Sequence, residues 1–340
     1  MKEALLYEKL EGARVRCMLC AHRCVIAEGR RGVCHVRENR AGTLYSLVYG
    51  QLIAQAVDPI EKKPLFHFYP GSRSFSIATM GCNFRCLFCQ NADISQTPRE
   101  TGRILGHETL HQAIIAGAQR TGCQSISYTY TEPTVFFEYT LDVSRLAHEA
   151  GLANVYVTNG YMSPEMLDVI APSEGRLLDA ANVDLKAFTE DFYREMCGAR
   201  LQPVLDALKI MKARGVWVEV TTLIIPGAND SEGELREIAR FICTELDAET
   251  PWHVSRFYPT YRLTDRPPTP PETVLRAREI GLEEGLRYVY AGNLPGHGED
   301  TLCPGCGRAV IRRMGFRVLN RDLHEGACAH CGTRIAGIGL

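Results

Sequence analysis

The segment Gly81-Cys82-Asn83-Phe84-Arg85-Cys86-Leu87-Phe88-Cys89 follows a short β-rich run and places three cysteines within eight residues. The peptide between these cysteines is so short that the three thiols converge only if the loop wraps around a bound group. Thiolates prefer zinc or iron–sulfur clusters, and a [4Fe–4S] cluster with three protein ligands leaves one iron free for an external ligand. Cys82, Cys86 and Cys89 therefore predict a reactive metal centre, because a cofactor or substrate can bind at the open position.

The chain after residue 73 alternates β-rich runs with amphipathic stretches of helical length. The β-rich runs are residues 75–79, 125–129, 154–157, 182–184, 216–222, 253–257 and 288–290. The helical stretches are residues 107–119, 135–149, 164–170, 204–214, 233–245 and 271–284. Six or seven β-α units imply a parallel sheet that closes wholly or partly into a barrel. We predict an α/β fold with a partial (β/α)6 barrel of the TIM type over residues 73–293.

Polar motifs follow several of the predicted strands. They are Tyr130-Thr131-Glu132-Pro133, Thr158-Asn159-Gly160 and Asp184-Leu185-Lys186. Barrel active sites form where the carboxyl ends of the strands meet. We therefore expect these motifs to surround the cysteine loop at the barrel mouth.

Two further cysteine groups flank the barrel, each with the four thiols that can close a metal site. The carboxyl-terminal group has two C-x2-C-Gly turns, which predict a zinc ribbon in residues 294–340 and leave a rubredoxin-like iron site as the alternative. Its members are Cys303, Cys306, Cys328 and Cys331.

The amino-terminal group lies in a predicted metal-binding unit, residues 1–72, and consists of Cys17, Cys20, Cys24 and Cys34. Its C-x2-C-x3-C-x9-C spacing differs from that of bacterial ferredoxins, which favours structural zinc over a second cluster and leaves both open. His22 or His35 could replace one of these cysteines as a ligand, although an ordinary surface position is the simpler interpretation for each.

Composition excludes several classes of protein. The chain has 340 residues, of which 45% are hydrophobic, so it can bury a large core. Its formal net charge of −2 provides no chain-wide basic field for nucleic acid or an anionic membrane. There is no long apolar run, and 14 cysteines favour a compartment that keeps thiols reduced. We expect a cytoplasmic protein with neither a membrane nor a nucleic acid as partner.

The C-x3-C-x-aromatic-C spacing after the first barrel strand resembles the signature of the radical S-adenosylmethionine (SAM) enzymes. The resemblance implies that SAM chelates the free iron of the cluster through its amino and carboxylate groups. An electron from a donor such as flavodoxin or ferredoxin would break the sulfonium bond. The resulting 5′-deoxyadenosyl radical would abstract hydrogen from a substrate, so the chain would be an oxidoreductase. Phe88 would shield the cluster or stack on a bound base, or else be an ordinary core residue.

The strand-end motifs resemble those of the pyruvate formate-lyase activating enzymes, namely Gly-Gly-Glu, Thr-Asn-Gly and Asp-Leu-Lys. By this resemblance Glu132 would bind the ammonium group of SAM and Lys186 its carboxylate, with Asn159 and Asp184 as further cofactor contacts. A structural salt bridge between Asp184 and Lys186 is the alternative. The resemblance implies a protein or peptide substrate.

Over nearly its full length the chain resembles the radical enzyme of the AmmeMemoRadiSam system. The resemblance rests on the amino-terminal cysteines, on residues 91–96 and 251–257, and on the terminal ribbon. It implies Memo-like and AMMECR-like proteins as partners.

The same residues are compatible with two other functions. A zinc hydrolase would use the three central thiols and a water as zinc ligands. A zinc-ribbon interaction or RNA-binding protein on an inert barrel is supported by arginines in the tail, namely Arg308, Arg312, Arg313, Arg317 and Arg321. Cys197 follows the Asp184 strand and is a candidate catalytic thiol.

Overall fold

The amino-terminal unit consists of six short strands in this computed structural model, which describes all 340 residues. The strands are β1 (Lys2–Glu3), β2 (Tyr7–Lys9), β3 (Val15–Cys17), β4 (Val25–Ile26), β5 (Arg37–Arg40) and β6 (Thr43–Ser46). They form two antiparallel sheets in the orders β1-β6-β5 and β2-β3-β4. Strands this short bury little surface alone, so the unit depends on packing against the barrel. A buried ion pair between Arg37 and Glu138, at 2.8 Å, crosses that interface.

The central sheet has nine strands and is open. They are β7 (Gln51–Pro59), β8 (Arg73–Thr79), β9 (His107–Glu108), β10 (Ser125–Tyr128), β11 (Ala153–Thr158), β12 (Ala180–Asp184), β13 (Trp217–Ile224), β14 (Trp252–Arg256) and β15 (Val289–Gly292). β8 and β10 to β15 run parallel, in chain order. β7 and β9 add antiparallel strands at the β8 edge.

The prediction of a mixed α/β fold with a large parallel sheet is confirmed, and the sheet has the arrangement of a partial barrel. The parallel strands number seven where a (β/α)6 barrel has six. β7 lies within residues 1–72, which were assigned to the amino-terminal unit, yet it pairs with β8 along most of its length. Its hydrogen-bonding partner is 14 or more residues away in the chain, so local sequence pattern does not show this pairing.

Nine α-helices accompany the sheet. They are α1 (Ala92–Ser95), α2 (Thr97–Thr101), α3 (His111–Arg120), α4 (Phe137–Glu149), α5 (Pro164–Ile170), α6 (Glu190–Phe192), α7 (Gln202–Ala213), α8 (Glu232–Phe241) and α9 (Pro271–Glu283). Short 3-10 helices cover Ile60–Lys62 and Pro133–Phe136, and π-helical turns cover Tyr193–Cys197 and Ile242–Leu246. Ser163 caps α5, and Pro164 occupies its first turn, which explains why its bounds match the sequence prediction. None of these helices is both long and apolar enough to span a bilayer.

The carboxyl-terminal tail packs on the end of the barrel where the strands begin. Its strands are β16 (Thr301–Leu302), β17 (Ala309–Met314), β18 (Arg317–Arg321), β19 (Leu323–His324) and β20 (Ala327–Cys328). A separate hydrophobic cluster joins Val310 and Ile335 of the tail to Phe66, Tyr288 and Tyr290 of the barrel. The cysteine loop, by contrast, follows the last residue of β8. The tail and the loop therefore occupy opposite ends of the barrel.

Arg313 fastens the tail to the barrel and is unavailable for binding RNA. It is 6% exposed, donates to the carbonyl oxygen of Phe66 at 2.7 Å, and lies 4.2 Å from the centroid of the Phe66 ring. The RNA-binding interpretation counted Arg313 among its surface arginines, and the structure removes it from that set. Its burial depends on a contact more than 240 residues away, which sequence pattern cannot show.

Glu219 is the buried polar anchor of the same region. Its carboxylate accepts hydrogen bonds from the amides of Phe66 and His67, at 3.0 and 2.8 Å, and from the side chains of Trp217 and His253, at 3.0 and 2.7 Å. Burial alone would raise the pKa of Glu219, but its interactions with His253, with His67 and with the amide of Phe66 together outweigh burial and hold that pKa below its usual value. Glu219 therefore stabilises the fold as a carboxylate.

We expect Glu219→Gln to lower the free energy of unfolding by about 3–5 kcal/mol, because it removes the charge that four buried donors satisfy. The contribution of Glu219 is fully present above its ordinary pKa of 4.5 and is lost as the pH falls through the lower pKa of the folded state. Denaturant titration at pH 7 and at acidic pH measures both effects. The exposed Glu237→Gln is the control; equal stabilities of the two variants at pH 7 would contradict the anchoring role.

Candidate metal centre

Backbone hydrogen bonds hold the cysteine loop at the barrel mouth. The amide of Arg85 donates to the carbonyl oxygen of Cys197 at 2.8 Å, and the amide of Leu87 donates to that of Met196 at 3.0 Å. The carbonyl oxygen of Leu87 in turn accepts from the amide of Arg262 at 2.9 Å. The loop has little regular secondary structure, so these bonds determine where its three thiols stand.

Two glycines permit this close packing. Gly198 has φ +69°, and a Cβ there would collide with the Arg85 side chain. Gly81 has φ +101°, and a Cβ there would come within 2.6 Å of Val36 in the amino-terminal unit. Each position requires both a positive φ and the absence of a Cβ, and only glycine combines the two.

The spacing of the sulfur atoms distinguishes the cysteine groups. A single tetrahedral zinc ion with bonds of about 2.3 Å holds its sulfur ligands about 3.8 Å apart. The carboxyl-terminal four form the one set of potential metal ligands in the chain whose ligand atoms all lie within 4.8 Å of one another. The thiols of Cys82, Cys86 and Cys89 are not gathered this closely. Their wider spacing fits a cluster, in which each thiolate binds a different iron.

The donor set around the loop also fits a cluster with an open position. The amide of Phe84 donates to the sulfur of Cys82 at 3.3 Å, and Ser95 Oγ lies 3.2 Å from the sulfur of Cys89. Hydrogen bonds to cysteine sulfur are a usual feature of iron–sulfur sites.

Glu132 follows β10, beside the loop, and is almost wholly buried. Its carboxylate accepts hydrogen bonds from the amide and hydroxyl of Thr134, the hydroxyl of Thr158 and the amide of Asn159, at 2.6 to 3.1 Å. Burial raises the pKa of Glu132, and these hydrogen bonds oppose that effect. Glu132 thus ties the loops after β10 and β11 together. Its assignment to the ammonium group of SAM stays a prediction.

Asn159 reaches directly from the end of β11 to the cysteine loop. Its Nδ2 atom donates to Asn83 Oδ1 at 2.8 Å and lies 3.8 Å from the sulfur of Cys82. Its Oδ1 atom accepts from the amide of Tyr161 at 3.0 Å, which fixes the orientation of the side chain. Asn159 therefore lies beside the cysteine loop, and its predicted role as a contact of SAM stays a prediction.

Asp184 ends β12, and its carboxylate lies 2.9 Å from the ammonium of Lys186. The Lys186 ammonium also lies 5.7 Å from the centroid of the Phe88 ring. Burial disfavours the charged form, but the negative charges of Asp184 and Cys86 outweigh it and raise the pKa of Lys186 above its usual value. Lys186 is therefore a cation beside the cysteine loop, and the salt bridge expected as the alternative is present as well.

Phe88 and Cys197 are both buried. Phe88 packs against Phe192, with 5.9 Å between ring centroids, so it forms part of the core as well as one wall of the site. Cys197 has no exposed surface, and a hydrogen bond with Cys197 lowers the pKa of Cys86. Burial raises the pKa of Cys197 itself. A protonated, enclosed thiol does not favour the nucleophilic role considered for Cys197, and that role stays untested.

Tyr130 was predicted only as part of a strand-end motif, and its backbone conformation and contacts are a feature of the site that the sequence analysis missed. It stands where the activating-enzyme motif has glycine, and its φ of +64° is the left-handed conformation that glycine adopts readily. Its hydroxyl donates to Asp58, and the Lys63 ammonium lies 4.5 Å from its ring centroid. The replacement of two glycines in the motif was the available signal for an unusual backbone at this position.

The carboxyl-terminal cysteines form a compact set at the other end of the molecule. Sulfur–sulfur distances are 3.6 Å between Cys303 and Cys331 and 3.8 Å between Cys306 and Cys328. The amide of Gly305 lies 3.4 Å from the sulfur of Cys303, as in a metal-binding knuckle. The prediction that these four residues form one metal-type cluster is confirmed.

Comparison with known proteins agrees with this geometry. Residues 76–242 match the family model of the radical SAM superfamily. The uncharacterized protein MJ0808 of Methanocaldococcus jannaschii is 49% identical over 338 residues, which cover 98% of this chain and 99% of that protein. The pyruvate formate-lyase-activating enzyme of Clostridium pasteurianum is 26% identical over 176 residues, which cover 51% of this chain and 70% of that enzyme.

Solved structures show the same fold. A radical SAM methyltransferase from Sphaerobacter thermophilus superposes with a TM-score of 0.51 at 19% identity, over 66% of this chain and 67% of that chain. SuiB of Streptococcus suis bound to S-adenosylmethionine superposes with a TM-score of 0.51 at 14% identity, over 69% of this chain and 53% of that chain. The family match, the relatives and the cysteine loop together lead to one conclusion: the chain belongs to the radical SAM superfamily, whose members use a [4Fe–4S] cluster and SAM.

Proposed function

We propose that this protein is an activating-enzyme-like radical SAM oxidoreductase that takes a hydrogen atom from a protein or peptide substrate. The observation that carries the proposal is the anchored loop of Cys82, Cys86 and Cys89, with Asn159 and Lys186 on neighbouring strand ends beside it. When bound, the cluster and SAM supply a one-electron cleavage of the sulfonium bond that yields a 5′-deoxyadenosyl radical.

The residues of the chain have distinct tasks in this proposal. The three loop thiolates hold the cluster and leave one iron open to SAM. The Lys186 ammonium binds the carboxylate of SAM, and Asp184 positions Lys186 through their 2.9 Å ion pair. Glu132 keeps the loop after β10 next to Asn159 and provides negative charge toward the ammonium of SAM. Phe88 excludes water from the cluster, since its ring is buried between the loop and Phe192.

The tail is proposed to be a zinc ribbon. The sulfur–sulfur distances of 3.6 and 3.8 Å support a single tetrahedral ion. Such a closed four-thiolate site has no open position, so its metal would stabilise the fold rather than take part in the reaction.

The proposed partners follow from the chemistry and from the resemblance of the sequence. A one-electron donor such as flavodoxin or ferredoxin would reduce the cluster. Membership of the AmmeMemoRadiSam group, with Memo-like and AMMECR-like partners, is proposed on the full-length resemblance. The number of free thiols favours the reducing cytoplasm as the site of action.

The two other functions have less support. A zinc hydrolase would need the central thiols gathered around one ion, and they are more widely spaced than that. The RNA-binding interpretation is weaker because Arg313 is buried against the barrel, although the other four arginines of that set are exposed.

Replacing Cys82 with Ser should remove about four irons per chain and leave the zinc of the tail in place. Analysis of iron, zinc and acid-labile sulfide in anaerobically purified protein measures this, with Cys243→Ser as a matched control away from all three cysteine groups. If the single variants at Cys82, Cys86 and Cys89 all kept the full iron content, the proposed function would be wrong.

Lys186→Met should weaken SAM binding roughly ten- to a hundred-fold, because a charge-assisted hydrogen bond contributes about 1.5–3 kcal/mol. The cluster should persist, since Lys186 is not a ligand. Titration of SAM into the reduced protein, followed by electron paramagnetic resonance and by 5′-deoxyadenosine formation, gives both quantities. Lys209→Met, at a partly exposed lysine on α7, is the control, and unchanged affinity in Lys186→Met would refute the assigned contact.

Cys306→Ser should release the metal of the tail and destabilise its docking, because metal affinity at a closed site is folding energy. SAM cleavage by the soluble variant should remain near that of the unaltered protein, since the tail lies at the opposite end of the barrel. Zinc content and 5′-deoxyadenosine formation are measured on the same preparation. Loss of cleavage with the tail metal retained would place the tail in the catalytic apparatus.

A further inference from the structure

The four amino-terminal cysteines line one cavity. Cys17, at the end of β3, and Cys20, Cys24 and Cys34, from the loops around β4, all border one small cavity, the amino-terminal chamber. Cys17 is buried, and the other three are half-buried. Cysteines separated by up to 17 positions in the chain are thus brought to the wall of a single chamber.

The spacing of these thiols does not suit a single ion. Four sulfur ligands of one zinc ion lie about 3.8 Å from one another. The measured sulfur–sulfur distances in the tail, 3.6 and 3.8 Å, are close to this value. The sulfur atoms of the four amino-terminal cysteines do not all lie within 4.8 Å of one another, whereas those of the tail cysteines do. In a cubane cluster each cysteine binds a different iron, so the four sulfur atoms stand farther apart around a central body.

Two buried N–H donors that lack acceptors border the same cavity. Arg37, which is 2% exposed, directs both terminal nitrogens to Glu138, at 2.9 and 2.8 Å, and its Nε atom has no partner. The Nδ2 atom of Asn83, a residue 1% exposed, has none either. Both residues line the chamber with the thiols. Native proteins rarely bury N–H groups without acceptors, and the sulfur atoms of a cluster would accept these hydrogen bonds.

From these observations we propose that Cys17, Cys20, Cys24 and Cys34 bind a second [4Fe–4S] cluster, with Arg37 and Asn83 as hydrogen-bond donors to its sulfur atoms. This replaces the zinc that the cysteine spacing favoured. Four thiolates occupy all four irons, so this cluster has no open position for SAM.

The site adjoins the radical centre. Asn83 borders the chamber and directly follows Cys82, a ligand of the barrel loop. The carbonyl oxygen of Asn83 accepts a hydrogen bond from His22 Nε2 at 2.8 Å, and Cys20 pairs with Met162 beyond the end of β11. His22 therefore contacts the barrel loop through this nitrogen, and His35 does not border the chamber.

The decisive experiment removes the barrel cluster and asks what remains. In the full-length Cys82→Ala, Cys86→Ala, Cys89→Ala variant, reconstituted anaerobically with iron and sulfide, we expect about four irons, four acid-labile sulfides and one zinc per chain. The reduced variant should give an electron paramagnetic resonance signal that does not change when SAM is added. About two zincs per chain without labile sulfide would overturn the proposal.

A second variant tests the same proposal independently, in case the first variant does not fold. With the barrel cysteines intact, Cys20→Ala, Cys24→Ala should lower the iron content from about eight to about four per chain and keep a signal that responds to SAM. Retention of about eight irons would refute the ligand assignment. Failure of SAM to alter any signal in the unaltered protein would instead contradict the proposed function, so the two failures are distinguishable.

Arg37→Lys tests the hydrogen bond separately from the ligands. Lysine keeps a positive charge beside Glu138 and lacks the Nε–H, so the reduction potential of the amino-terminal cluster should fall. Redox titration of the variant without barrel cysteines, with and without Arg37→Lys, measures the shift. An unchanged potential would exclude Arg37 as a donor to the cluster.

Discussion

Two backbone hydrogen bonds, from Arg85 to Cys197 and from Leu87 to Met196, fix the geometry on which the rest of the site depends. An irregular loop that must offer three thiols to one group needs an external frame, because its own residues form little regular structure. The frame here is the π-helical turn Tyr193–Cys197, which ends at Gly198 in a left-handed conformation. The hydroxyl of Tyr193 also accepts a hydrogen bond from the amide of Lys186 at 3.0 Å, so the same turn positions the loop and its neighbouring cation.

The residues of the candidate site and the polar residues that stabilise the fold lie at opposite ends of the parallel strands. At their carboxyl ends, four adjacent strands deliver the cysteine loop, Glu132, Asn159 and the Asp184–Lys186 pair to one edge. Near their amino ends, Glu219 holds the backbone of Phe66 and His67, and Arg313 of the tail donates a hydrogen bond to the carbonyl oxygen of Phe66. Because parallel strands all point the same way, polar groups at one end can change with function while those at the other end stabilise the fold.

The three groups of cysteines differ in the spacing of their sulfur atoms. In the tail the sulfur atoms meet closely enough for one ion. Around the barrel loop and in the amino-terminal chamber they stand farther apart, and the chamber is also lined by two residues with buried N–H donors that lack acceptors, Asn83 Nδ2 and Arg37 Nε. The sulfur atoms of the cluster proposed for the chamber would accept these hydrogen bonds.

The sequence by itself determined the parallel α/β architecture, the cysteine loop and the polar strand ends, because hydrophobic periodicity and short motif spacings are local properties of the chain. It also indicated that Cys303, Cys306, Cys328 and Cys331 form one set. Only the tertiary structure decided that β7 joins the barrel sheet, that Arg313 is buried against Phe66, and that Arg37 and Asn83 border the amino-terminal cysteines. Each of these depends on contacts between residues far apart in the chain, and such contacts leave no periodic signal in the sequence.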